Sequence, residues 1–325
     1  MGAESLSFMG LQQYHCVALM SVSPERSTSR LDRSWRLFVV YMPYLWLLIL
    51  FFVPFLFVLK ISFADPVIAQ PPFTALLNWG ANGFEGVSGS FDNYAFLFED
   101  DLYVTSYFKS IWVAGVSTFF CLLIGYPMAY GIARSKPLAR NLLLMMVILP
   151  FWTSFLLRVY AWMGMLSTHG LINNLLLSMG VIDTPLKLLY TDTAVYFGIV
   201  YSYLPFMILP LYAALERIDQ SYIEAAYDLG AKPYQAFLNV TLPLSKPGVI
   251  AGCLLVFIPA MGEYVIPSLL GGLDSMMIGR QLYNEFYGNR DWPVAASVAT
   301  ILLLILVIPM MFLNRYQNND EVPAS

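Results

Sequence analysis

One carboxylate lies where a carboxylate is costly. Glu263 falls in the run Phe257-Ile258-Pro259-Ala260-Met261-Gly262-Glu263-Tyr264-Val265-Ile266-Pro267 and is the sole formal charge between Gly248 and Leu270. A carboxylate at bilayer depth costs about 2.5 to 3.5 kcal/mol on insertion scales, so Glu263 is expected to face the interior of a helix bundle. The i, i+4, i+8 spacing predicts that Pro259, Glu263 and Pro267 share one helix face, where both prolines free backbone carbonyls for a polar guest. This chemistry suits reception of a cation, with Glu263 and the adjacent Tyr264 as the leading contacts. Two readings compete with it: internal pairing, with Arg158 as the available partner, or a protonated acid.

Phe151, Trp152, Tyr160 and Trp162 cluster in the third apolar stretch. Belt and packing positions explain most such residues. The sharper reading gives Trp152 and Tyr160 a role as ring faces for ammonium groups, each contact contributing roughly 0.5 to 2 kcal/mol. Arg158 is expected to snorkel and has no assigned role toward a ligand. Asp291 and Trp292 place a carboxylate beside an indole at the edge of the last stretch, where a cation would arrive; loop capping accounts for them equally well. No covalent chemistry is on offer. The chain has no G-x-x-x-x-G-K-[ST], H-E-x-x-H or G-x-S-x-G motif, and its two histidines are His15 and His169.

A second constellation lies in the longest hydrophilic segment, Glu216 to Pro247. Asp219 or Ser221 is placed to cap a short helix that ends at Gly230, a residue suited to the left-handed position past a helix C-terminus. Pro233 can open a second short helix, which Pro243 closes. The prediction is a helix-turn-helix at the membrane surface, with Ala225 and Ala226 leaving a small-residue face for another protein. A DNA-binding role is disfavoured, because the segment carries three basic residues against four acidic ones and the whole chain has net charge −4.

The elements that must position these residues follow from composition. Of 325 residues 58% are hydrophobic and 12% charged, against about 25% charged in an ordinary soluble domain. A soluble enzyme is excluded, and an all-α polytopic membrane protein is indicated. Six stretches are long enough to cross a bilayer, at 38–59, 111–133, 142–165, 194–215, 248–270 and 295–313. With the N-terminus inside, eleven of the 17 lysines and arginines fall on inner segments, five on outer ones, and Arg158 within a span. Both termini are therefore expected in the cytoplasm. The organisation is a cytoplasmic tail at 1–37, a first span at 38–59, an external loop at 60–110, a core of five spans at 111–313 with a cytoplasmic loop at 216–247, and a C-terminal tail at 314–325. Met9 and Met20 offer alternative starts. Cys16, Cys121 and Cys253 suggest no disulfide framework.

Glu224-Ala225-Ala226, Gly230 and, nine residues on, Val240-Thr241-Leu242-Pro243 resemble the EAA signature of ATP-binding-cassette importer permeases. The stretches Gly125-Tyr126-Pro127, Ile148 to Ser154, Leu270 to Arg280 and Asn289 to Ala295 narrow the likeness to the permeases of putrescine and spermidine importers. That resemblance implies the type I ABC importer permease fold in a bacterial inner membrane. It also implies Glu224, Ala225, Ala226, Gly230, Leu242 and Pro243 as contacts to a cytoplasmic ATPase. The implied partners are a second homologous permease, two ATPase subunits and a periplasmic or extracellular polyamine-binding protein. ATP and Mg belong to the ATPase, no cofactor to this chain, and nucleic acid is no partner. An importer for another small solute is the alternative. A secondary transporter would predict an internal hydropathy repeat, and none is visible.

Overall fold

The computed structural model describes residues 30–75, 77–80, 83–87, 89–272 and 275–320. The tail at 1–29 with His15, Cys16, Met9 and Met20, the Leu273-Asp274 step and residues 321–325 lie outside these. The chain divides into two units, Met1–Phe57 and Val58–Ser325.

The first unit holds helix α1 (Arg30–Leu47) and a π-turn (Leu48–Phe52). Helix α2 (Val53–Ser62) follows. Together they supply an apolar span, Leu37–Ser62. Helical structure is already present at Arg30, the first described residue and ahead of the expected Phe38, and nothing in the Arg, Leu and Trp sequence breaks it. Pro54 has no N–H to return to the preceding turn, and the helix widens to a π-turn just before it.

In the second unit the segment expected as a loop at 60–110 is largely ordered structure. A hairpin pairs β1 (Leu77–Gly80) with β2 (Gly83–Val87). Helix α3 (Asp92–Glu99) pins the chain above it, since Asn93 Nδ2 donates to the Ser62 and Ala64 carbonyl oxygens at 3.0 and 2.8 Å. Helix α4 (Asp101–Ala133) starts ten residues before the expected Ile111. Asp100 sets that start by accepting the Leu102 N–H at 2.9 Å.

The core is a three-helix contact among α4, α8 (Asp192–Glu216) and α12 (Lys246–Met261). Between Ser110 and Ala129 most buried residues of α4 are small, Ser110, Ala114, Ser117, Cys121, Gly125 and Ala129, with the larger Tyr103, Tyr107 and Ile132 buried nearer its ends. Lipid tails are as apolar as leucine, so close backbone approach and dispersion hold such helices together, and small residues allow it. Met207, Ile208 and Leu211 of α8 fill the space against Val256 of α12.

Two expected spans are broken. The third divides into α5 (Pro137–Ile148), a 3-10 turn (Leu149–Trp152) and α6 (Phe155–Leu166), followed by α7 (Leu171–Ser178). The two halves meet at 90°. Pro150 removes a helical donor, and Thr153 turns extended and bonds the Pro150 carbonyl oxygen with both its N–H and its hydroxyl. The fifth divides into α12 and α13 (Val265–Leu269) at Gly262-Glu263-Tyr264. A continuous helix would need a donor from Pro267, whereas the break puts Pro267 in a first turn, where no donor is missed. The remainder is α14 (Ile278–Tyr283), a π-turn (Asn284–Asn289) and α15 (Trp292–Asp320). The last helix thus runs from before Ala295 to beyond Leu313, through much of the expected tail.

Candidate functional site

The expected helix pair is present. Helix α9 (Gln220–Asp228) is capped by Asp219, whose Oδ1 accepts the Ser221 N–H at 3.0 Å. That bond holds the Asp219 carboxyl below its ordinary range. The helix ends in a Schellman turn: Gly230 N–H donates to the Tyr227 carbonyl oxygen at 2.8 Å and Ala231 N–H to that of Ala226 at 3.0 Å. Gly230 takes φ +83°, which an L side chain adopts only with strain. Helix α10 (Pro233–Ala236) continues through a π-turn (Phe237–Thr241) into α11 (Leu242–Leu244). Pro243 therefore does not close this helix. It lies within the last turn, which ends one residue later at Leu244.

Glu224, Ala225, Gly230, Leu242 and Pro243 are exposed and Ala226 is half-buried. Tyr222, Tyr227, Leu229, Tyr234 and Leu238 are exposed beside them. Arg134, just past α4, donates to Gln220 and ties the pair to the bundle, and Arg140 Nη1 of α5 lies 2.7 Å from Glu216 Oε1 at the end of α8 just before the pair. Tyr126 and Tyr130 of α4 meet Phe237 edge-on at 5.6 and 6.1 Å.

The second site is the break in the fifth span. Glu263 is 8% exposed and does not share a helix face with Pro259 and Pro267, because the helix has stopped. Its Oε1 accepts the Val265 and Ile266 N–H groups at 2.9 and 3.4 Å, and its Oε2 accepts the Tyr203 hydroxyl at 2.5 Å. A carboxylate at the start of α13 meets unpaired N–H groups there. Its internal partner is thus Tyr203 of α8, not Arg158. The Arg158 guanidinium lies instead over the Phe151 and Phe155 rings, 5.6 and 5.8 Å from their centroids.

From Glu263 a run of rings leads away. Tyr264 stacks on Tyr283 at 4.5 Å and 11°, Tyr283 meets Tyr287 at 4.8 Å, Tyr287 meets Phe286 at 4.9 Å, and Phe286 stacks on Trp292 at 5.0 Å and 8°. Asp291 stands at the far end, where its Oδ1 accepts the Val294 N–H at 3.1 Å. Burial raises the Asp291 carboxyl pKa, opposed by that N–H and reinforced by Glu285. The structure thus joins Glu263, Tyr264, Asp291 and Trp292 in one feature. Trp152 and Tyr160 stand apart from it, exposed on the 3-10 turn and on α6.

One carboxylate in this region was not anticipated. Glu285 is 6% exposed and accepts from the Tyr103 hydroxyl at 2.9 Å, Gln281 Nε2 at 2.9 Å and Asn289 Nδ2 at 2.8 Å. Gln281, Glu285 and Asn289 recur at i, i+4, i+8, a polar stripe that periodicity could have revealed.

Fold and sites together define a multi-pass helical membrane protein with one projecting helix pair and one polar break. The profile of the family described as "Binding-protein-dependent transport system inner membrane component" matches residues 121–320, and the chain belongs to that family. It is an inner-membrane permease, a transport component. The spermidine/putrescine transport system permease protein PotB of Haemophilus influenzae is 38% identical over 297 residues, covering 90% of this chain and 95% of the relative. PotB of Escherichia coli strain K12 is 44% identical over 222 residues, 68% of this chain and 80% of the relative. Among solved structures, a chain of a bacterial ABC transporter involved in import of the acidic polysaccharide alginate superposes with TM-score 0.66 at 18% identity, covering 91% of this chain and 99% of that one. At that identity the likeness concerns the fold.

Proposed function

We propose that this chain is one of two related permease subunits of an ATP-driven importer of polyamines, putrescine or spermidine. The observation that carries the reading is the exposed helix pair with Glu224, Ala225 and Ala226 on its first helix and Gly230 locking the turn. A surface of small and apolar side chains fixed by local bonds suits a groove in a partner protein. The names of the relatives support the substrate class.

In this mechanism the helix pair and both termini face the cytoplasm, where lysines and arginines concentrate. Two ATPase subunits receive Glu224, Ala225, Ala226, Gly230, Leu242 and Pro243 and supply ATP hydrolysis with Mg, for which this chain has no P-loop. A loaded binding protein docks on the opposite side. Closure of the ATPases moves the helix pairs, and the cation passes between the two permeases without covalent change. Asp291 and Trp292 meet it first, and Tyr264 and the charge of Glu263 hold it midway; Trp152 and Tyr160 contribute ring faces on the bent third span.

The test is reconstitution of the complete importer with Gly230→Val. Strain of about 1 to 2 kcal/mol in the turn tilts the second helix of the pair. Basal ATP hydrolysis should persist while uptake of labelled putrescine and spermidine falls at least tenfold. Normal binding-protein-stimulated uptake by the variant would overturn the coupling role, and a wild-type complex that takes up neither polyamine would overturn the substrate.

A further inference from the structure

We propose that Tyr264, Tyr283 and Tyr287 form a specificity-determining aromatic wall along which a linear polyammonium chain lies during passage; the proposal rests on the polyamine reading above. The three rings are not core residues. Tyr264 is 38% exposed, Tyr283 39% and Tyr287 64%, although Ile278, Gln281 and Glu285 on the same short segment are buried. Stacking at 4.5 Å covers one face of Tyr264 and one of Tyr283, the Tyr283 ring also meets Tyr287 at 4.8 Å, and Tyr287 is the most open of the three. Large aromatic rings held open by a rigid support suit a ligand better than packing does.

The support carries negative charge. Glu263 precedes Tyr264, Glu285 lies between Tyr283 and Tyr287, and Asp291 precedes Trp292 at the end of the run. Both buried carboxylates already accept three hydrogen bonds each, from Tyr203, Val265 and Ile266 and from Tyr103, Gln281 and Asn289. With their oxygens engaged, they are poor ligands for a bare metal ion but still lend their field to the ring faces, where a cation is attracted by the π-electrons. The nearby cation Arg280 is turned away, its Nη1 lying 3.4 and 3.2 Å from the Pro267 and Gly272 carbonyl oxygens. Arg290 is exposed at the end of the π-turn. A flat wall with charge behind it selects a molecule that alternates ammonium groups with methylene segments. Rings accept both parts, whereas a small hydrated cation gains nothing from the apolar contact.

The test is uptake of putrescine and spermidine by the complete reconstituted importer carrying the Tyr283→Leu, Tyr287→Leu pair, beside the Tyr283→Phe, Tyr287→Phe pair. Assembly with the partner subunits and basal ATP hydrolysis serve as controls. The leucine pair should reduce transport efficiency about tenfold, and more for spermidine with its additional ammonium, while the phenylalanine pair keeps most of it. If the leucine pair does not assemble, Tyr287→Leu at the most exposed ring should still lower efficiency about threefold. Equal transport of both polyamines by the leucine variants and wild type would overturn the wall. So would phenylalanine variants as impaired as the leucine ones. A wild-type complex that moves neither polyamine would overturn the function beneath the proposal and the proposal with it.

Discussion

The helix pair at 220–244 and the break at 262–264 treat their polar groups in opposite ways. In the pair, the cap and the turn are made by bonds short in sequence, Asp219 to Ser221, Gly230 to Tyr227 and Ala231 to Ala226, while Arg134 to Gln220 and the Tyr126 and Tyr130 rings on Phe237 tie it to the bundle. Glu224 is left in solvent. At the break the bonds reach across the chain, from Glu263 to Tyr203 and from Glu285 to Tyr103, and both carboxylates are buried. The difference teaches that an exposed helix pair can fix its own cap and turn by local bonds, whereas a polar site inside an apolar bundle must also be satisfied by other helices. The two regions should therefore fail differently when altered.

The largest effect is expected at Gly279, the second residue of α14. A Cβ there would stand 2.3 Å from the Gly262 carbonyl oxygen and 2.8 Å from that of Glu263. Both neighbours are backbone and cannot swing aside, so Gly279→Val should cost about 3 kcal/mol or more and abolish recovery of folded protein on size exclusion. Gly230→Val meets nothing within 4 Å and should leave that recovery intact while coupling is lost. Equal folding yields for the two variants would break the comparison.

Next comes Glu285→Leu. Removing this acceptor strands the Tyr103 hydroxyl and the Gln281 and Asn289 amides, at about 1 to 3 kcal/mol for each that stays buried without water. A clear fall in detergent melting temperature is the expected outcome, with Glu285→Gln losing less because it keeps one acceptor oxygen. An unchanged melting temperature for Glu285→Leu would mean that the buried cluster does not hold the π-turn.

The same contrast explains what the sequence disclosed. Asp219, Gly230 and Pro233 signal a cap, a turn and a helix start through their own backbone preferences, so the pair was legible residue by residue. The depth of Glu263 was legible from its apolar surroundings. Its partner was not, because Tyr203 lies 60 positions away and only the packing of α8 on α12 brings them together. Pro150 and Pro267 lie in stretches read as continuous spans, and whether a proline bends a span or breaks it depends on what satisfies the groups at the break, here Thr153 and the Glu263 carboxylate. Tyr283 and Tyr287 carried no local mark that set them apart from belt aromatics.

The smallest effect sharpens the comparison from the far end of the ring run. Burial, reinforced by Glu285, raises the Asp291 carboxyl pKa above its ordinary 3.8. A raised pKa means that the folded protein holds this proton more tightly than the unfolded chain. The contribution to stability is then greatest at low pH and is lost as pH rises through the ordinary value toward the folded one. Asp291→Asn keeps an oxygen to accept the Val294 N–H and removes the charge. It should melt slightly higher than wild type at neutral pH, and the gap should close as pH falls into the carboxyl range. Uptake should nonetheless drop, because the variant no longer presents a carboxylate to an arriving cation. A variant less stable at neutral pH would show that the Val294 bond outweighs burial; one more stable and equally active would leave the charge without a purpose. Stability given up at a site that gains activity is the pattern of a residue kept for function.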